Sequence, residues 1–291
     1  MKTRDLSDLL LLAALWGGSF LFMRFAAPAF GAVALIWLRV AIASLCLLPL
    51  LVMRGQLGAL RAHAGQIALM GIFNSAFPFV LIAWATLSIT AGLASILNAT
   101  VPIFAALIGA VWLGERLDAS RLLGLAIGFT GVLLLAADKA DFKPGGSGWA
   151  VVAMLVATLS YGFSANLTKR QLAGVPALVN AAGSQFISAI VLLPFAVWLW
   201  PAQTPGLMAW AAVIVLGIGC TALAYLLFFR LIAHVGASRA VTVTFLIPLF
   251  GVLWGWVFLG ETLSAAMLGA GAVVVLGTAL ATGVLKLPAR A

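Results

Sequence analysis

The acid–base and metal-ligating chemistry available to this 291-residue chain is confined to seven acids, two histidines and two cysteines. Asp5, Asp8, Glu115, Asp118, Asp138, Asp141 and Glu261 fall at or outside the ends of long apolar runs, and neither His63 nor His234 lies deep in one. Cys46 and Cys220 sit inside apolar runs without partners at metal-ligand spacing, and both read as core packing. A hydrolase or transferase needs a nucleophile beside a base, or a metal with its ligands. A proton relay within a membrane needs a buried carboxylate or histidine. Neither set is present. Near the middles of the runs stand neutral and aromatic residues instead: Trp16, Ser19 and Phe20; Asn74, Phe77 and Pro78; Asn98; Tyr161, Ser164 and Asn166; Gln185 and Ser188; Tyr225; Thr242 and Thr244. Such groups support noncovalent recognition, with a mostly apolar wall and a few polar groups that fix orientation. The same side chains also pack helix bundles, and that reading stands beside the first for each of them.

Arg39 is the only basic residue well inside a run, about eight residues from its end and hence about 12 Å deep. Two roles are open to it. It attracts the carboxylate of a bound molecule, or it snorkels and donates to backbone carbonyls at a helix crossing.

The elements that position these residues follow from composition. With 65% hydrophobic residues, 8% charged and a mean hydropathy of +1.22, the chain is a membrane protein, since soluble domains carry about 25% charge. A span needs roughly 20 apolar residues. The runs place ten helices at about 6–26, 32–53, 65–86, 91–113, 119–137, 148–168, 177–199, 208–231, 237–259 and 264–284. The first is expected to be a retained span, because it lacks a small-residue cleavage site. The net charge of +9 is spread singly at helix ends, which speaks of topology and against nucleic acid as a partner.

The chain repeats itself at an offset of 146 residues: Pro102 with Pro248, Phe104 with Phe250, Gly109 with Gly255, Leu113-Gly114-Glu115 with Leu259-Gly260-Glu261, and onward to Gly131 with Gly277. Residues 1–137 are predicted to form one five-helix repeat, 138–147 an outer linker, and 148–291 a second repeat. Counting Lys and Arg in alternate loops gives twelve on one side (Lys2, Arg4, Arg54, Arg61, Arg116, Arg121, Lys169, Arg170, Arg230, Arg239, Lys286, Arg290) against Arg24, Lys139 and Lys143 on the other. Both termini are therefore expected in the cytoplasm. Five spans per repeat then insert the second half upside down, an arrangement that places sites near the midplane of transporters.

Pro102 and Pro248 each remove a backbone donor in mid-helix, and are expected to mark bending, cavity-lining elements or, alternatively, static kinks. The glycines of Gly124-xxx-Gly128 and Gly251-xxx-Gly255 read as close packing inside the bundle more readily than as a dimer face. Each Leu-Gly-Glu reads as a helix stop, with a possible cation-binding role for Glu261.

Trp16-Gly17-Gly18-Ser19-Phe20, Arg39, and Pro102 and Pro248 each followed by Leu-Gly-Glu resemble the ten-helix drug/metabolite transporter superfamily, specifically its EamA-type exporters, over the whole chain. Within it the chain looks most like the YddG-type amino-acid exporters. The resemblance implies an all-α inner-membrane protein that exports amino acids or related small metabolites by alternating access, without a cofactor, as a monomer or weak dimer in the bilayer. The rivals are a multidrug exporter of lipophilic cations, for which a buried acid is expected, and a membrane-embedded transferase, for which a His, Asp or Glu cluster is expected. A passive channel has little support, because the loops are short and no ring of charge is present.

Overall fold

The computed structural model describes residues 3–137, 141–143 and 146–285. Lys2, Lys139, Lys286 and Arg290, counted above, lie outside them. The described residues form an all-helical bundle of ten runs: α1 (Thr3–Phe30), α2 (Ala32–Met53), α3 (Ala64–Ala85), α4 (Ala91–Leu113), α5 (Ala119–Ala137), α6 (Gly148–Gln171), α7 (Ala177–Trp198), α8 (Leu207–Val235), α9 (Val243–Leu259) and α10 (Ala265–Ala281). A short helix, Leu57–Ala62, precedes α3, and a single turn, Ala237–Ala240, precedes α9. Helices are the expected answer to these apolar runs, because hydrocarbon offers no partner to a free N–H or C=O. Eight of the ten are long and apolar enough to cross a bilayer. The last two have 17 residues each, the short end of the usual span of about 17–25.

Several helices outlast their apolar stretches. α1 starts at Thr3, so Asp5 and Asp8 lie within its first turns, where Asp8 pairs with Arg230 at 3.0 Å and Asp5 with His234 at 3.2 Å. These pairs fasten α1 to the end of α8, and that anchorage carries both helices past the limits set by hydropathy.

The two repeats interlock as inverted copies. α1 packs on α8 and α9, and α6 packs correspondingly on α3 and α4; α2 pairs with α7 and α5 with α10. Backbones touch at α5–α10, where a Cβ on Gly277 would lie 2.2 Å from the Gly128 nitrogen and one on Gly124 would lie 2.3 Å from the Ala281 nitrogen. The Gly124-xxx-Gly128 motif is thus spent inside the bundle. So is Gly251, whose added Cβ would fall 2.3 Å from Ser95 of α4.

The two Leu-Gly-Glu segments end their helices alike. Gly114 and Gly260 take left-handed φ values of 69° and 63°, open to glycine without a Cβ penalty. The next amide then folds back, Glu115 N–H to the Gly109 carbonyl and Glu261 N–H to that of Gly255. Beyond this the copies part. Glu261 accepts from the Ala91 and Gly92 amides at 2.7 and 3.0 Å, holding the start of α4, whereas Glu115 pairs with Lys169 of α6. Glu261 therefore serves a helix N-terminus of the other repeat, where the dipole favours a carboxylate.

Candidate functional site

A cavity of about 320 Å³ lies at the centre of the bundle, within the size range of small-molecule sites. Trp16, Ser19, Phe20 and Met23 of α1 form one wall, Tyr161 and Ala165 of α6 another, and Asn98 and Val101 of α4 face Thr244 and Ile247 of α9. Asn98 and Thr244 stand at the 146-residue offset, as do Val101 and Ile247, so the cavity straddles the relation between the repeats.

Two breaks in regular helix shape the remaining walls. α3 and α8 each contain one π-helical turn, Ile72–Ala76 and Ile218–Leu223, starting 146 residues apart. A π turn inserts a residue and changes which side chains share a face. From Asn74, a regular helix would align Phe77 and Pro78 with the cavity at the next turn. After the π turn the side chain that follows Asn74 into the cavity is Phe79, with Ile82 beyond it. α8 repeats the spacing, since Cys220 and Tyr225 both reach the cavity. Asn74 donates to the Tyr225 hydroxyl at 3.2 Å, joining the two π-containing helices across the site.

Of the residues singled out from sequence, Trp16, Ser19, Phe20, Asn74, Asn98, Tyr161, Tyr225 and Thr244 are brought to the cavity wall, and Phe77, Pro78, Ser164 and Gln185 are not. Phe77 is 42% exposed on the outside of the bundle. Pro78 and Ser164 are buried within the bundle. Gln185 is buried and donates to Ser75 Oγ at 2.9 Å, while Ser188 donates to the Gly71 carbonyl, so both serve the α7–α3 crossing. Asn166 likewise ties α6 to α4 through the Ala105 carbonyl. Cys220, read as core, lies on the wall.

Pro102 and Pro248 differ. α4 breaks at Ala99–Thr100, two residues before Pro102; the helix that holds Pro248 runs through it unbroken, and the irregular turn comes earlier, at Val241–Thr242.

Arg39 also lines the cavity, although only 4% exposed. Its Nε donates to Thr221 Oγ1 at 2.9 Å, one terminal nitrogen lies 3.6 Å from the Met23 sulfur, and the guanidinium carbon sits 3.7 Å from the centre of the Phe79 ring. Thr221 can accept because its own hydroxyl proton goes to the Leu216 carbonyl at 2.8 Å. Taking a charge out of water costs several kcal/mol. A cation–π contact returns about 2 kcal/mol when desolvated, and one hydrogen bond to a charged group about 1.5–3 kcal/mol. No described acid supplies Arg39 with a counter-charge. Every described acid is engaged elsewhere: Asp5 and Asp8 with α8, Glu115 with Lys169, Asp118 with Arg121, Asp141 with the Lys143 amide and Glu261 with α4.

The two ends of the cavity differ in exposure. Val241, on its rim, is 40% exposed; Ser95, the residue 146 positions earlier, is fully buried against Gly251 at the opposite end. α9 accordingly packs along Ala91–Asn98 rather than along Val101–Leu113.

Comparison with known proteins places these features in context. The EamA-like transporter family matches residues 8–137 and again 148–283. The chain is 28% identical over 280 residues to a protein of Streptantibioticus cattleyicolor named as a probable terminal-alkyne amino-acid exporter, covering 94% of this chain and 91% of the relative. It is 25% identical over 273 residues to the uncharacterized inner membrane transporter YedA of Escherichia coli, covering 92% and 87%. A riboflavin transporter of Rhizobium johnstonii is 30% identical over 195 residues, 62% of this chain and 58% of that one. A solved crystal structure superposes with a TM-score of 0.68 at 21% identity, covering 98% of each chain, and shares the fold.

Proposed function

The chain belongs to the EamA-like transporter family and is a multi-pass membrane transporter, and from that premise we propose that it exports amino acids, neutral and aromatic ones among them, or related small metabolites. Export runs across the inner membrane by alternating access to the central cavity, with both termini in the cytoplasm. The observation that carries this reading is the inequality between equivalent ends of α4 and α9. Ser95 is sealed against Gly251 while Val241 stands open, and Glu261 grips the start of α4 while Glu115 is turned to Lys169. Exchanging the two arrangements would close the cytoplasmic end and open the other. The mixed aromatic and amide lining suits a small amphipathic cargo, and the amino-acid exporter among the relatives lends the cargo class.

Reconstituted protein should move radiolabelled neutral or aromatic amino acids down their gradient, in competition with one another. Failure with every amino acid, alongside saturable transport of lipophilic cations, would replace this reading with multidrug export. Orientation is read separately: a single cysteine at Lys143 reacts with an impermeant thiol reagent in intact cells, and one at Lys169 reacts only after permeabilisation. The reverse pattern inverts the topology.

A further inference from the structure

We propose that Arg39 is the carboxylate-binding residue of the central cavity, so that the cargo carries a carboxylate and is held by it; this rests on the cavity being the cargo site. The molecule contains its own comparison. Position 39 of the first repeat corresponds to position 185 of the second, and Thr221 corresponds to Ser75. Arg39 Nε donates to Thr221 Oγ1 at 2.9 Å, and Gln185 Nε2 donates to Ser75 Oγ at 2.9 Å. In each repeat a side chain from the second helix thus reaches the hydroxyl in the π turn of the other repeat. A neutral amide fills that structural task at Gln185, which lies off the cavity; the charge at Arg39, which lies on it, exceeds what the task requires.

The remaining geometry agrees. A guanidinium has five N–H donors, and among the described residues only Thr221 and the weak acceptor Met23 receive any from Arg39. A planar guanidinium matches a carboxylate with two parallel hydrogen bonds. Ser19 Oγ is buried on the same cavity wall, next to the Cys220 thiol and without a conventional hydrogen-bond partner, so it offers one more donor. The α-ammonium of an amino acid would find neutral acceptors in Asn98 and Thr244, whose carbonyls lose their regular helical donor to Pro102 and Pro248. A cargo bearing only positive charge would meet Arg39 with nothing to offset it.

The test compares four ligands on purified wild-type protein by equilibrium binding: phenylalanine, phenylalaninamide, phenethylamine and 3-phenylpropionate, with the leucine series in parallel. The amide and the amine should bind about tenfold to hundredfold more weakly than the acids. R39Q should erase that preference, and R39K should retain part of it, with gel filtration and thermal unfolding checking that both variants fold. Should R39Q not fold, the ligand series on wild-type protein decides alone. Equal affinity for phenylalanine and its amide overturns the inference while leaving amino-acid export intact. Binding of phenylpropionate without any amino acid upholds Arg39 and removes amino acids as cargo. Absence of binding by every carboxylate in both series overturns the inference.

Discussion

Glu261 and Glu115 close equivalent helices with the same backbone turn, yet Glu261 is bonded to the first amides of α4 and Glu115 to Lys169. A carboxylate at a helix N-terminus in a partly buried setting contributes up to about 2 kcal/mol. In the proposed alternating access that is enough to set which end is shut.

E261Q should therefore raise the population open to the side opposite the termini. In a C46A/C220S background, a cysteine at Asn98 on the cavity wall should react slowly with an impermeant thiol reagent applied from outside. Adding E261Q should speed that reaction about tenfold or more, the scale set by 1–2 kcal/mol. An unchanged rate would show that the carboxylate does not hold the closed end.

P102A and P248A should each slow transport several-fold while expression holds, with P102A the more damaging, because only α4 breaks beside its proline. Wild-type transport by both variants would place the bending elsewhere.

Transport should not be driven by protonation of a buried side chain. The described acids lie at helix ends, each with a partner, and an arginine keeps its proton at any working pH. In liposomes a substrate gradient alone should drive uptake, and an added pH gradient should leave the initial rate nearly unchanged at constant substrate charge. Uphill accumulation abolished by a protonophore would contradict this, and Asp8 and Glu261 would be the first residues to replace.

Two glycines of one helix should respond oppositely to alanine. At Gly277 the new Cβ would meet backbone 2.2 Å away, and at Gly269 it would meet nothing within 4 Å. G277A should lower stability by about 1–3 kcal/mol, as overpacking does. G269A should add about 0.5–1 kcal/mol, the gain of alanine over glycine in a helix. Equal thermal shifts for the two would refute the α5–α10 contact.

Much of this architecture was legible in the sequence because its causes are local. Apolar runs, glycine stops and the 146-residue repeat mark ten helices in two copies without reference to any contact. The cavity was legible in part: Trp16, Asn74, Tyr161 and Tyr225 belong to it, as their depth and type implied. Phe77 and Pro78 were misplaced, and Phe79 missed, because a π turn depends on hydrogen bonds one residue longer than the regular ladder and has no residue signature of its own. Gln185 looked like Arg39 in depth and polarity, and both donate to a hydroxyl in the π turn of the other repeat; only their places relative to the cavity wall separate them. Aligning positions 39 and 185 by the repeat offset would have exposed the pair beforehand.

The glycine seam between α5 and α10 joins the two repeats by direct backbone contact, with no room for a side chain between them. In the proposed alternating access the repeats are then units of ancestry and not units of motion. Any swing that trades one opening for the other must leave this spine standing and pass to helices hinged around it, so the moving bodies each draw members from both copies.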